Sequence, residues 1–374
     1  MLPVKREHRG RRRLLFVVLT TILVLVFVEL AGSLAYRFML PETEREAIEA
    51  TLGLRRGEWN DRLRYRSHPY LNYVANPDYT FEDGTRPHHA IGIRDPGFNP
   101  REKRGGVLRI LALGGSTTYG LFVERSDQVW PALVGLGLQE TLDREIEVVN
   151  AAISNATTYE IVGMAAFWLS EFQPDLVLLH TGLNDAFTVA FADEGGPDGR
   201  HFRHSWTQRE LPPALSGVMR VSRCARLLGV GMLRSGGYMA GDINGAMQYP
   251  IPPEAQLRSN IESATGKYYR RNLRTIAALA RFNRAEPIFV EMPLNPDYES
   301  GIGLYPDAIS SAVTRNNRIM REVGEELAIR VIAMHDEMRD PMEFIDAAHV
   351  RQAGMLHKAQ IVYDALLPVV KEMP

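Results

Sequence analysis

Hydrophobic and polar positions divide the chain into three regimes. Leu14 through Tyr36 is a nearly unbroken apolar run, residues 37–106 are polar and irregular, and from residue 107 short apolar runs alternate with stretches of helical spacing. A short run that is apolar throughout and bounded by turn residues marks a strand buried on both faces. Such runs lie at 107–113, 145–150, 175–181, 286–292 and 329–334. Between and after them, apolar residues recur at helical spacing over 126–141, 157–172, 262–284, 306–327 and 351–371. Strands that alternate with helices make βαβ units and a parallel sheet. The pattern predicts an α/β fold: a three-layer α/β/α sandwich with a five-stranded parallel sheet, preceded by one transmembrane helix.

Lys5, Arg6, Arg9, Arg11, Arg12 and Arg13 precede the first apolar run. A helix of that run's length reaches about 33 Å, enough to cross a hydrocarbon core of about 30 Å. Basic residues stay on the cytoplasmic side. This predicts a cytoplasmic tail at 1–13, a signal anchor at 14–36 in a bacterial inner membrane, and everything beyond it outside the cytoplasm. A cleaved signal peptide is the competing reading, with Ser33-Leu34-Ala35 as the cleavage site. The run is longer than an ordinary signal core, which favours the anchor. Glu29 interrupts the run near its outer end, as a carboxylate reaching for the interface rather than for a partner in the membrane.

Residues 37–106 read as an extension, with a short juxtamembrane helix over Glu42 to Leu54 and then irregular chain against the core. The basic residues from Arg55 to Arg66 read as a solvated face, lipid headgroups being the alternative contact. The domain proper then spans 107–374, interrupted over 190–260 by Gly195-Gly196-Pro197, Pro212-Pro213, Gly236-Gly237 and Pro250-Ile251-Pro252-Pro253. So long an irregular insert in a compact domain is either a functional lid or disordered. The apolar content of Val218 to Leu233 favours a packed cap over the site.

Composition narrows the class little. The 374 residues are 45% hydrophobic and 24% charged, an ordinary globular balance. Net charge is −2, and because basic residues gather in 1–13 the remainder is mildly acidic, which argues against a nucleic-acid partner. Cys224 is the only cysteine, so the chain holds no intrachain disulfide. No repeat or low-complexity tract interrupts it.

Chemistry collects where the strands end. The first strand runs into Gly114-Gly115-Ser116-Thr117-Thr118, which places a hydroxyl at the strand's carboxyl end, where open α/β sheets hold ligands. The glycines permit a tight turn and leave room for substrate. Ser116 is therefore a candidate nucleophile, which needs a base and a carboxylate to orient that base. Asp346 and His349, three residues apart after the fifth strand, can reach the same edge. The third strand stops at Gly182, followed by Asn184 and Asp185. An amide there suits an alkoxide that develops only in the transition state. The second strand ends in Asn150 through Thr157.

Other readings of these residues are weaker. A phosphate loop needs a lysine that this turn lacks, and the Gly-x-Ser-x-Gly elbow is absent. Asp185 reads as a brace of its loop and His180 as core, while His335 and Asp336 have no third ligand at metal spacing. Asn155-Ala156-Thr157 matches a glycosylation sequon by chance, in a segment expected to be buried.

In order, the four blocks resemble the SGNH (GDSL-like) hydrolase family: Gly-Gly-Ser116-Thr-Thr, the 150–157 segment, Gly182-x-Asn184-Asp185 and Asp346-x-x-His349. The likeness spans about residues 107–370. It implies Ser116 as nucleophile, His349 as base and Asp346 as the carboxylate that orients it. It also implies an oxyanion hole formed by the Asn184 amide and the backbone N–H groups of Ser116 and Asn155. Two positions depart from the family. Gly-Gly-Ser replaces Gly-Asp-Ser, a variant associated with membrane-anchored bacterial members. Asn155 replaces a glycine; its N–H remains, and asparagine tolerates left-handed angles better than most residues. No metal or organic cofactor is implied. The expected activity is a serine esterase that cleaves O-acyl esters, O-acetyl first among them, of an envelope polysaccharide or lipid. The alternatives are an O-acyltransferase that passes the acyl group to a glycan through the same triad, and, from another class, an inactive carbohydrate-binding envelope module.

Overall fold

The computed structural model describes residues 4–52, 54, 64–68, 70–81, 83–95, 97–99, 103–192, 211–235, 252–297 and 306–373. Helices α1 (Val4–Met39) and α2 (Glu42–Thr51) come first. A hairpin follows, β1 (Tyr65–His68) antiparallel to β2 (Asn72–Ala75). The alternation then opens with β3 (Leu108–Gly114), the single turn α3 (Ser116–Tyr119) and α4 (Trp130–Leu142). It continues through β4 (Ile146–Asn150), α5 (Thr158–Phe172), β5 (Leu176–His180) and α6 (Leu183–Ala190). The insert contributes α7 (Pro213–Val221) and α8 (Arg223–Ser235). After it come α9 (Glu254–Ser263), α10 (Lys267–Phe282), β6 (Glu286–Val290) and α11 (Pro306–Leu327). The chain closes with β7 (Arg330–Ile332), α12 (Met334–Glu337) and α13 (Gln352–Glu372).

The chain forms two compact units, residues 1–63 with 207–242 and residues 64–206 with 243–374. In the larger unit, five parallel strands lie in the order β4-β3-β5-β6-β7. Leu111, Leu113, Val177, Leu179 and Phe289 face a layer built by α5, α10 and α11. Ile110, Ala112, Leu176, Leu178 and Ile288 face α4 and α13. Both faces are covered, which is why these strands read as apolar throughout. Each fully buried Leu, Ile or Phe contributes roughly 1.5–3 kcal/mol relative to exposure. The chain moves from β3 outward to β4 and then back across to β5, so the strand order reverses between β3 and β5. Open α/β sheets hold their ligands at such a reversal, at the carboxyl ends of the strands.

Differences from the expected elements are local. The helix expected from 126 begins at Trp130, because Ser126–Gln128 forms its own tight turn and Pro131 belongs in a first helical turn. The helix expected from 262 is divided into α9 and α10 by Gly266, whose φ of +67° ends the first path. The juxtamembrane helix stops at Thr51, where Leu54 N–H bonds back to Glu49 O in a wider turn. The hairpin β1–β2 stands in chain expected to be irregular; four-residue strands are too short to display a period. Arg55 through Leu63, Gly195-Gly196-Pro197, Gly236-Gly237 and Pro250-Ile251 lie outside the described residues.

In the smaller unit α1 carries a stretch, Arg11–Met39, long and apolar enough to cross a membrane. The apolar middle of the insert packs here: Met219, Val230 and Leu233 of α7 and α8 form a small core with Tyr36, Ile48 and Leu52.

Candidate active site

Ser116 stands at the reversal point. Gly114 ends β3 and Gly115 caps α3, so Ser116 is the first residue of a one-turn helix, where no intrahelical acceptor exists for its N–H. Close approach explains both glycines. A Cβ on Gly114 would lie 2.5 Å from the His180 carbonyl oxygen, and one on Gly115 would lie 2.6 Å from Asn184 Nδ2.

The loop after β7 returns along the same edge. Phe344 bridges Val350, Ile345 N–H donates to His349 O at 2.8 Å, and Asn295 N–H donates to Ala347 O at 2.9 Å. Within this frame Asp346 Oδ1 accepts the N–H groups of Ala348 and His349 at 2.9 and 2.8 Å. Its Oδ2 meets His349 Nδ1 at 2.7 Å, and His349 Nε2 lies 2.7 Å from Ser116 Oγ. A carboxylate at Nδ1 makes that nitrogen the donor and leaves Nε2 to accept from the serine hydroxyl. Burial pushes the Asp346 carboxyl up, but the His349 ring and the two N–H groups together hold it below the ordinary aspartate value. Ser116 is 7% exposed, and the His349 and Asp346 side chains are 17% and 24% exposed, so the group is shielded yet open on one side. Phe122 meets the His349 ring edge-on at 5.1 Å.

Across the reversal point, Gly182 (φ +136°) turns the chain from β5 into α6. Asn184 Nδ2 then donates to Ala156 O at 2.8 Å. That acceptor belongs to the loop after β4, which is stitched to β3 by Ala151 N–H to Ala112 O and Ile153 N–H to Gly114 O, at 3.0 and 3.1 Å. Asn155, beside Ala156, has φ +65°, the left-handed geometry that glycine adopts freely. The structure therefore joins Ser116, His349 and Asp346 directly, and brings the Asn184 amide beside Gly115 and the loop of Asn155.

Asp185 braces this assembly. It accepts from Thr158 N–H at 3.1 Å and Thr181 Oγ1 at 3.2 Å, and burial raises its carboxyl to about 6 against the pull of the Thr158 bonds. Asn316 Nδ2 holds Gly182 O at 2.8 Å. His180 is a core residue, its Nδ1 against Val290 O at 3.3 Å and its ring edge-on to Trp130.

Three residues that the sequence pattern did not mark come from 64–106. Arg94 Nη1 donates to the carbonyls of Tyr119 and Gly120, both at 2.6 Å, with its guanidinium 4.5 Å above the Tyr119 ring. His88 Nε2 meets Tyr119 Oη at 2.7 Å, and Tyr73 Oη donates to Ser154 O at 2.9 Å. They clamp the turn that carries Ser116 and the Asn155 loop through backbone carbonyls and one hydroxyl, so no motif announces them. A cavity of about 560 Å³ opens beside α6, lined by Tyr159, Thr188, Asn260, Lys267 and Tyr268; Ser116, Asn184 and His349 do not line it.

Residues 112–355 match the GDSL-like lipase/acylhydrolase family, and the chain belongs to that family. The matched span runs from β3 to the start of α13 and contains all four blocks. The protein is accordingly a serine ester hydrolase with one amino-terminal helix long and apolar enough to cross a membrane. Among solved structures, a lipase/acylhydrolase from Enterococcus faecalis is 17% identical, with 70% of this chain and 96% of that one covered and a TM-score of 0.42. A lipolytic G-D-S-L protein from Veillonella parvula is 12% identical, covering 71% and 100%, with a TM-score of 0.40. The psychrotrophic esterase EstA from Pseudoalteromonas sp., in a structure inhibited by monoethylphosphonate, is 13% identical, covering 71% and 99%, with a TM-score of 0.37. No curated protein matches the chain.

Proposed function

We propose that Ser116, His349 and Asp346 form the catalytic triad of a membrane-anchored esterase whose active domain lies outside the cytoplasm. Its substrates are O-acyl esters, O-acetyl first among them, of an envelope polysaccharide or lipid. The continuous relay carries this reading: Asp346 to His349 at 2.7 Å and His349 to Ser116 at 2.7 Å. Ser116 Oγ attacks the ester carbonyl carbon while His349 Nε2 takes its proton. The tetrahedral oxyanion is received by the Asn184 amide and by the N–H groups of Ser116 and Asn155. Asn184 Nδ2 carries two protons, and the one on Ala156 O aims the amide. Collapse expels the alcohol, which His349 protonates; water, deprotonated by His349, then releases the acid from Ser116. The basic tail before an apolar span supports the outward orientation, and that orientation makes envelope esters the accessible substrates.

The test is p-nitrophenyl acetate turnover by the full-length chain in detergent, with and without a glycan acceptor. Ser116→Ala should lower kcat by roughly 10³-fold or more. Undiminished turnover would overturn the assignment, and acetyl transfer to the glycan outpacing release of acetate would make the enzyme a transferase.

A further inference from the structure

The insert's two helices meet α1 within its apolar run. Glu29 Oε2 accepts from Ser222 Oγ at 2.6 Å and Glu29 Oε1 accepts from the Arg223 N–H at 2.7 Å. A carboxylate inside an apolar span is costly unless its oxygens are taken; here they cap the start of α8, where backbone N–H groups lack helical partners. One turn further along α1, a Cβ on Gly32 would lie 2.5 Å from the Cβ of Cys224, so the two backbones nearly touch. A small residue at such a crossing is the usual device of helices that associate in lipid. Next, the Arg226 guanidinium lies 5.7 Å from the Tyr36 ring.

These contacts ascend both helices together: 29 with 222 and 223, 32 with 224, 36 with 226. Helix α8 therefore starts level with Glu29 and climbs alongside α1 toward the outer end of the apolar run. Seven residues separate Glu29 from Tyr36, about 10 Å of helix. The turn between α7 and α8 thus sits about 10 Å to the membrane side of Tyr36. At that turn and just above it, Val221 is 83% exposed, Leu228 81% and Val218 54%. The opposite faces, through Met219, Val230 and Leu233, are spent on the core with α1 and α2. Large aliphatic side chains left outward on short helices whose other face is already packed mark an interaction surface. Their depth is set by α1, and at that depth the surroundings are acyl chains. Arg220 Nε is taken up by Leu52 O at 2.9 Å, while Arg223 is exposed beside the turn, where a long basic side chain can reach headgroup phosphates.

We propose that the α7–α8 hairpin is a second membrane element, seated in the outer leaflet against the anchor, with Val218, Val221 and Leu228 in the acyl-chain region. This rests on the reading of α1 as a membrane span. The hairpin gives the insert a role other than covering the site.

Cys224 is the only cysteine, which allows single-site labelling after Cys224→Ser. Single cysteines at Val221, Leu228, Leu25 and Gln360 carry an environment-sensitive nitrobenzoxadiazole probe on the full chain in phosphatidylethanolamine–phosphatidylglycerol vesicles. Val221, Leu228 and Gln360 are surface positions, so the labels leave the fold in place, which p-nitrophenyl acetate turnover verifies. Probes at 221 and 228 should be quenched by doxyl-labelled lipid several-fold more than the probe at 360, and shielded from aqueous iodide. Iodide quenching at 221 and 228 equal to that at 360, with the probe at 25 still quenched by lipid, would overturn the hairpin and leave the span standing. Loss of lipid quenching at 25 as well would overturn both.

Discussion

In the proposed oxyanion hole, Asn184 and Asn155 would act by different atoms. Asn184 would offer a side-chain N–H, its amide aimed by the bond to Ala156 O, whereas Asn155, at φ +65°, would offer its backbone N–H. Asn184→Ala should lower kcat by roughly 10²–10³ with KM changed much less, the pattern of a donor lost from the transition state. Asn155→Gly keeps the donor in a conformation glycine favours, so kcat should hold or rise. Steady-state kinetics on both variants checks the pair; equal losses with the fold intact would assign a role to the Asn155 side chain. Ser116 and Asn184 stand in short motifs where β3 and β5 stop, and Asp346 and His349 in an Asp-x-x-His motif in the loop after β7, so the four side chains that the structure gathers could be picked out of the chain. Arg94, His88 and Tyr73 could not, since they act from irregular chain on carbonyl oxygens and a hydroxyl, which demand no fixed spacing.

Lys358 shows how an element's buried face can carry a cost. On α13 it is fully buried, and its Nζ has no hydrogen-bond partner among the described residues. Burial pulls the ammonium down to about 7, opposed by the charge of Asp346. His180, on the same side of the sheet, is held neutral by burial first and by the nearby lysine second. An unfolded lysine titrates near 10.4, so between pH 7 and about 10 the unfolded chain binds a proton that the folded chain lacks. Stability should therefore rise with pH across that window. Lys358→Met should abolish this slope and raise Tm at pH 7 by a few degrees. Thermal unfolding of both proteins at pH 7 and pH 9 decides it; parallel pH dependence would mean that Lys358 is well solvated or paired. The five strands and most helices could be placed from apolar runs and helical spacing, since both faces of the sheet are covered. What failed was context: Gly266 splits a helix that hydrophobic spacing alone would continue. The apolar content of Val218 to Leu233 signalled that the segment packs, but carried no information about its partner, which among the described contacts is α1 with α2.

For the molecule as a whole, the proposed outward orientation is open to a direct test, because one amino-terminal helix is long and apolar enough to cross a membrane. Alkaline phosphatase fused after Gly57 should be active in a bacterial host, as the basic residues before Leu14 require. An inactive phosphatase with an active cytoplasmic reporter at the same junction would reverse the orientation. All of the proposed chemistry depends on one activated hydroxyl. Trypsin releases Ile110 through Arg125 as a single peptide whose only serine is Ser116. Membranes containing the full-length protein, treated with a fluorophosphonate and digested, should carry the phosphonyl mass on Ser116 of that peptide. The label should vanish in Ser116→Ala and form far more slowly in His349→Ala. A phosphonyl group on any other peptide, or labelling that survives Ser116→Ala, would contradict the assignment of Ser116 as the nucleophile.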